Sequence, residues 1–282
     1  MKNHKILILF AVFMFSISVS CTLNAQTEYK FPKGSSLQYK SNTENKEIVA
    51  MMGQEEVITT ATSENVLIAG LGLVNNNFKV EFCLNNIKIT SDNPHIDMST
   101  VDFSFMNNKK SSALVSKQGL VSSIEAIDII ESPADPTAYS IMQQYNPALF
   151  FSKFFLVLPK KELKVGEIWK DNKTDMIIDG DVAINTEYLY TVSEIVNYNG
   201  YSCFKIICSL KMSYHGQSTQ GGQEFKVSGK GEGEGVFFFA RKEGILVSCE
   251  TNHSSNINMD FTAMGMTIPT TNIVSTKIEL VK

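Results

Sequence analysis

The chain has little of what membrane-spanning and reactive proteins are built from. Beyond residue 19 no apolar stretch approaches the roughly 20 residues that a transmembrane helix needs, so no such helix is expected in the processed protein. Lysines and arginines form no run. A mildly acidic chain without such clusters lacks the footprint that phosphate backbones demand, and nucleic acid is not an expected partner. None of His95, His215 and His253 recurs at a spacing with another histidine or cysteine, and no cysteine spacing fits a zinc pattern. Asp92-Asn93-Pro94-His95-Ile96-Asp97 offers two carboxylates and an imidazole, but its Asn-Pro reads as a surface turn. There is no Gly-x-Ser-x-Gly elbow to present a strained nucleophile. Glu55-Glu56 and the pair Glu232 and Glu234 fit solvated strand faces. The expectation is a non-enzymatic protein without metal or cofactor.

What is present starts with an export signal. Lys2 and Lys5 precede an apolar run from Ile6 to Val19, the pattern of a secretory signal peptide over residues 1–25. Ser16, Ser18 and Ser20 interrupt the run too early for a retained anchor. Two processing routes fit: cleavage after Ala25, leaving Gln26 first, or lipidation at Cys21, where Ser18-Val19-Ser20-Cys21 resembles a lipobox with Ser18 in place of the usual leucine. Either route exports the chain to the periplasm or the outer membrane. Losing residues 1–25 takes the formal charge from −4 to −6. Cys83, Cys203, Cys208 and Cys249 remain, and they either form disulfides in one of three pairings or stay buried as free thiols.

Hydrophobic periodicity then dominates. Phe204, Ile206, Cys208, Leu210, Met212 and Tyr214 alternate with mostly polar neighbours, as do Phe78, Val80, Phe82 and Leu84; a period of two marks half-buried strands. Asn75-Asn76-Asn77, Lys117-Gln118-Gly119, Asp179-Gly180, Asn199-Gly200, Gly221-Gly222 and Lys242-Glu243-Gly244 punctuate such runs and supply the backbone freedom of tight turns. Consecutive strands joined in this way are antiparallel. One segment departs: Asp135-Pro136 can start a helix over Thr137–Asn146, with Ile141, Tyr145 and Leu149 at a spacing of four.

The segments on either side of that helix share an order of motifs. Pro32-Lys33-Gly34, Val74-Asn75 and Lys117-Gln118-Gly119-Leu120-Val121-Ser122 answer to Pro159-Lys160, Val196-Asn197 and Lys242-Glu243-Gly244-Ile245-Leu246-Val247-Ser248. The expected organisation is a signal peptide at 1–25, a first β-unit at 26–131, a helical connector at 132–157 and a second β-unit at 158–282. The fold class is all-β, with two related curved antiparallel units.

The most unusual local pattern is Phe225 to Phe239. Phe225, Val227, Gly229, Gly231, Gly233, Gly235, Phe237 and Phe239 share one strand face, with Glu224, Lys226, Lys230, Glu232 and Glu234 on the other. Four glycines in a row on one face imply a bend or the close approach of another group. That group is either an aromatic side chain such as Trp169, a helix across the sheet, or a bound apolar ligand. These nine residues, Trp169 included, are the candidate ligand site, and Cys21 is the candidate lipidation site. A phosphate-cradling loop is disfavoured, because the glycines run into Val236-Phe237-Phe238-Phe239 rather than a helix N-terminus.

With this layout in hand, the chain resembles an uncharacterised family of Gram-negative exported or lipidated proteins, classed as a domain of unknown function. The likeness rests on Met52-Gly53-Gln54, on Leu158-Pro159 followed by Val165-Gly166-Glu167-Ile168-Trp169, on Asn199-Gly200, on Gly231 to Phe239, and on Lys242-x-Gly244-Ile245. It implies a secreted or outer-membrane-associated β-rich protein. A looser likeness is to periplasmic lipoprotein carriers, whose curved antiparallel sheet wraps an apolar cavity closed by helices. Two functions follow as expectations: binding of an apolar small molecule or lipid in a sheet-lined groove, or a filled-core module contacting other envelope proteins.

Overall fold

The computed structural model describes residues 26–281, apart from 52–53, 95–97, 99–100, 129–134, 136–137, 139–146, 178–180 and 221–222. The expected signal peptide, Cys21, His95, the expected turns at Asp179-Gly180 and Gly221-Gly222, and most of the expected Thr137–Asn146 helix lie outside the described residues.

Eleven strands follow one another: β1 (Ser36–Met51), β2 (Gln54–Val74), β3 (Asn77–Ser91), β4 (Lys109–Val115), β5 (Val121–Ala126), β6 (Ile168–Ile177), β7 (Val182–Tyr198), β8 (Tyr201–Gln220), β9 (Gln223–Ala240), β10 (Ile245–Phe261) and β11 (Met266–Val281). The alternating runs at Phe78 and Phe204 lie in β3 and β8. Tight hairpins form where the sequence offers residues that tolerate positive φ. Asn75 and Asn76 adopt φ of 48° and 64°, and Asn199 and Gly200 adopt 51° and 85°, the left-handed pair a two-residue hairpin needs. Between β5 and β6 the described connector contains one short helix, α1 (Pro147–Ser152).

The fold is all-β, and its strands form one antiparallel sheet in the order β5-β4-β3-β2-β1-β11-β10-β9-β8-β7-β6. The two β-units expected at 26–131 and 158–282 therefore do not make separate sheets. Each half is a meander, and β1 joins β11 over a long register from Gln38↔Val281 to Val49↔Thr270. Long strands on both sides of this seam make continuing the ladder cheaper than leaving two exposed edges.

The sheet curls around an aromatic filling. Tyr29 meets Phe239 of β9 at 5.0 Å, stacks on Phe31 at 6.0 Å, and Phe31 meets Phe78 of β3 at 5.8 Å. Strands β3 and β9 are five steps apart in the strand order, about 24 Å on a flat sheet. Two side chains bridge them because the sheet bends. Phe151 stacks on Phe82 at 4.0 Å, Phe155 packs edge-on to Tyr29, and Phe154 lies against Tyr39. Residues 26–31 and 150–158 thus form a plug on the concave face.

Backbone hydrogen bonds fix this plug. Tyr29 N–H donates to Lys117 O at 2.8 Å and Lys30 N–H to Gly244 O at 2.9 Å. The two Lys-x-Gly turns, one from each half of the chain, therefore grip adjacent residues of one segment. Leu158 N–H donates to Gln118 O at 2.8 Å, and the buried Tyr29 hydroxyl accepts the Leu156 N–H at 2.7 Å. Gly119 and Gly244 have φ of 90° and 67°, and a Cβ at Gly119 would stand 2.5 Å from the Tyr29 ring. Glycine is required at both places by conformation and by contact.

Replacing Tyr29 with Phe keeps the ring but strands a buried N–H. It is expected to lower unfolding stability by about 1–3 kcal/mol. Lys30→Ala, at an exposed side chain, should stay within about 0.5 kcal/mol. Urea unfolding of both variants checks the difference.

Candidate functional site

The concave face is not uniformly filled. On the β1–β5 side Phe31, Phe78, Phe82, Phe151 and Phe155 occupy it. On the β6–β11 side a cavity of about 410 Å³ remains between the sheet and the plug, within the 300–1,000 Å³ typical of small-molecule sites. Its floor is Tyr188 and Tyr190 of β7, Leu210 and Met212 of β8, Phe237 of β9, Cys249 of β10 and Ile278 of β11; Phe155 and Val157 roof it. Gly119–Val121 beside β5 and Asp171–Asp175 of β6 complete the wall. The cavity therefore lies where the two unpaired edges of the open sheet face each other.

The strand register explains the floor. Phe237 pairs with Cys249 and Ile206, Leu210 with Gly233 and Tyr188, and Cys249 with Ile278. Every second residue of these strands points inward. Trp169 stacks on Tyr190 at 5.0 Å, Tyr190 stacks on Tyr188 at 5.7 Å, and the Trp169 indole N–H donates to Val157 O at 2.9 Å. An aromatic ladder thus runs from the plug along the cavity wall.

Several of the polar groups here are held by partners. Lys173 Nζ donates to Ser152 Oγ at 2.9 Å and pairs with Asp175 at 2.9 Å, tying β6 to α1. Lys153 forms an ion pair with Glu64, a carboxylate buried on β2, and its ammonium sits 4.3 Å from the Phe150 ring centroid. Removal from water pushes Tyr188 up to about 12 and the Cys249 and Cys208 thiols up to about 12. It also holds His253 below the usual imidazole range and raises Asp171 above the usual carboxylate range. At neutral pH Tyr188, Tyr190, Cys249 and His253 of the wall carry no charge, so the part they line favours an apolar occupant, while Lys153, Asp171, Lys173 and Asp175 make another part of it polar.

The nine residues singled out from sequence separate into three places. Phe237 lines the cavity. Phe239 belongs to the central filling against Tyr29, and Trp169 stands on Tyr190 rather than over the glycines. Phe225 and Val227 belong to a second apolar cluster at the far end of β7–β10, where Phe225 stacks on Phe261 at 5.3 Å. The four glycines do share the concave face, and the group that approaches them is the neighbouring strand. A Cβ at Gly233 would lie 2.4 Å from Asn252 O and 2.5 Å from His253 Cβ, and one at Gly231 would lie 2.8 Å from Ser255 Cβ and from Met212 Cε. Paired Cβ atoms normally stand about 4.5–5.5 Å apart. Strands β9 and β10 coil so tightly here that the inner face has no room for side chains. The stripe is where the sheet bends.

Sequence reasoning misses Tyr188, Tyr190, Leu210 and Phe155 as site residues. The alternation of Leu210 and Met212 is visible as strand patterning, and nothing in it distinguishes a cavity floor from filled core. His215 and His253 lie on opposite faces of the sheet: His253 pairs with Gly233 on the concave side, and His215 follows the inward Tyr214 by one residue. Among the described residues no group of three or more His, Cys, Asp or Glu could hold a metal ion, and no helix is long and apolar enough to cross a membrane. Cys83, Cys203, Cys208 and Cys249 are buried free thiols. Strand β9 lies between Cys208 and Cys249.

No family model matches the chain, and no curated protein matches it. Solved structures similar to it include lipovitellin, studied for its lipid–protein interactions, at 11% identity and a TM-score of 0.48, over 90% of this chain and 26% of that one. This chain thus spans about a quarter of lipovitellin. Others are a DUF1329 family protein from Desulfovibrio piger (10% identity, TM-score 0.18, 86% and 85% of the two chains) and a domain named for outer membrane lipoprotein sorting from Vibrio parahaemolyticus (10%, 0.14, 86% and 83%). A domain of unknown function and a lipoprotein-handling domain are the two kinds of protein named by the sequence resemblance. At 10–11% identity and TM-scores below 0.5, these likenesses assign neither family nor activity to this chain.

Two outcomes test the geometry. Gly233→Ala is expected to destabilise by about 1–3 kcal/mol through overpacking against β10, whereas Glu232→Ala on the outer face should change thermal unfolding little. His253 stays neutral in the fold but takes a proton near pH 6.5 when unfolded. Its contribution is therefore present above about pH 6.5 and lost as pH falls toward its lower folded value. Urea midpoints measured against pH should decline less steeply below 6.5 in His253→Gln than in the parent.

Proposed function

We propose that this protein is a non-enzymatic binder of an apolar ligand, of the acyl-chain or lipid class, in the cell envelope. The observation that carries the reading is the 410 Å³ cavity between the β6–β11 floor and the Phe155–Val157 roof. Its floor is largely aromatic and aliphatic, Tyr188, Tyr190, Cys249 and His253 are held neutral there by burial, and it lies along the open seam of the sheet. A long flexible ligand can enter such a seam sideways without unfolding a closed barrel. Burial of its methylenes against Tyr188, Leu210, Met212 and Ile278 supplies the affinity, roughly 0.8 kcal/mol for each methylene removed from water.

Trp169 is the only tryptophan and stacks on the cavity wall, so its emission reports occupancy. Titrating the protein from its envelope fraction, after delipidation, with a long-chain fatty acid should shift Trp169 fluorescence saturably. Met212→Trp brings a second indole, so for this variant native mass spectrometry is the readout; the bulkier side chain should reduce bound ligand at least tenfold while leaving a cooperative thermal transition. Apolar adducts on the parent support the reading. A parent that stays bare with lipid added back, together with a stable complex with another envelope protein, would replace it with the interaction-module reading.

A further inference from the structure

Antiparallel connectivity sends alternate turns to opposite ends of the sheet. One end collects residues 26–35, 71–77, 116–120, 158–168, 195–201 and 241–245. These segments are under a fifth of the chain, yet they hold eight basic and four acidic residues in a protein of net charge −4. Three of the acids are spent on lysines of the same end: Glu28 on Lys117 at 3.2 Å, Glu162 on Lys164 at 3.8 Å, and Glu167 on Lys161. Lys30, Lys33, Lys160, Arg241 and Lys242 then face Glu243 alone among these acids. The opposite end carries Glu55, Glu56, Asp92, Asp181, Glu224 and Asp260 beside its turns, against Lys109, Lys110 and Lys226.

The basic end is also where aliphatic side chains stand in solvent. Leu73, at the end of β2, is 61% exposed, and Leu120 and Val165, on loops, 56% and 55%; seven of the fifteen large hydrophobics exposed among the described residues belong to these segments. They come from three connections that are remote in sequence. Exposed aliphatics at the same end of the sheet as an excess of lysines over acids match a bilayer interface, where the methylenes enter the headgroup layer and the ammonium groups meet anionic lipid. Gln26, the first described residue, lies at this end, its neighbour Thr27 donating to Lys161 O.

We propose that this end of the molecule docks on an anionic lipid surface, with Leu73, Leu120 and Val165 inserted and Lys33, Lys160 and Lys242 against the headgroups. The docking surface meets the cavity only at Leu120, which also lines the cavity wall; its other residues lie outside that lining, and the docking does not depend on what the cavity holds. It would orient the open seam along the membrane normal and bring its plugged end nearest the lipid.

The test is vesicle flotation with the exported full chain carrying Cys21→Ser, so that no acyl group is attached there. Vesicles of phosphatidylglycerol with phosphatidylethanolamine should be bound at least tenfold more tightly than phosphatidylcholine vesicles, and high salt should abolish the difference. The triple charge reversal Lys33→Glu, Lys160→Glu, Lys242→Glu, and separately Leu73→Ser with Val165→Ser, should each weaken binding at least tenfold with an unchanged unfolding midpoint. Equal binding to both vesicle types, or salt-insensitive binding, overturns the proposal without needing any variant. Normal binding by the charge-reversed protein together with loss in Met212→Trp would place the lipid contact in the cavity and likewise overturn it.

Discussion

Everything on the concave side depends on how the open sheet is filled. Eleven strands with an apolar inner face and two unpaired edges have no stable form on their own, because the inner face must leave water and the sheet must bend to let it. Tyr29, Phe31, Phe151, Phe154 and Phe155 supply the mass around which it bends. Their rings touch strands from β3 to β9. Aromatic contacts add only about 0.5–1.5 kcal/mol each beyond burial. Their larger effect is to set the curvature on which the strand contacts depend.

The filling is asymmetric. The plug runs closest to the β1–β5 half and leaves space over β7, β8 and β9, so one fold contains both a packed core and a cavity. The glycines of β9 belong to the same geometry. Tight coiling between β9 and β10 removes the room for inward side chains, and Gly229–Gly235 leaves Met212 and His253 to cover that part of the face. Curvature, cavity and glycine stripe are consequences of a single bend.

Much of the fold is legible in the order of residues. The period of two over Phe78–Leu84 and Phe204–Tyr214, with Asn75-Asn76 and Asn199-Gly200 between strands, fixes the all-β class and the hairpins, because side-chain alternation and positive φ are local properties. The shared face of Phe225 to Phe239 is equally visible as a face. Its meaning is not, since what approaches Gly233 is His253, twenty residues away in the chain, and only pairing brings them together. That the two expected β-units share one sheet is hidden in the sequence for the same reason. The pairing of β1 with β11 joins residues more than two hundred positions apart, and no motif in either strand announces it.

The division is clearest in the charges and the turns. The sequence alone determined the strand periodicity, the hairpin turns and a mildly acidic chain with no basic run, because each follows from neighbouring residues or from composition. Tertiary structure decided that Lys117-Gln118-Gly119 and Lys242-Glu243-Gly244 grip the neighbouring residues Tyr29 and Lys30, that scattered lysines gather at one end, and that Tyr188, Leu210 and Phe155 enclose a space. Those outcomes rest on long-range pairing and on the bend of the sheet. Both are settled by the joint burial of many distant side chains, and no local pattern encodes them.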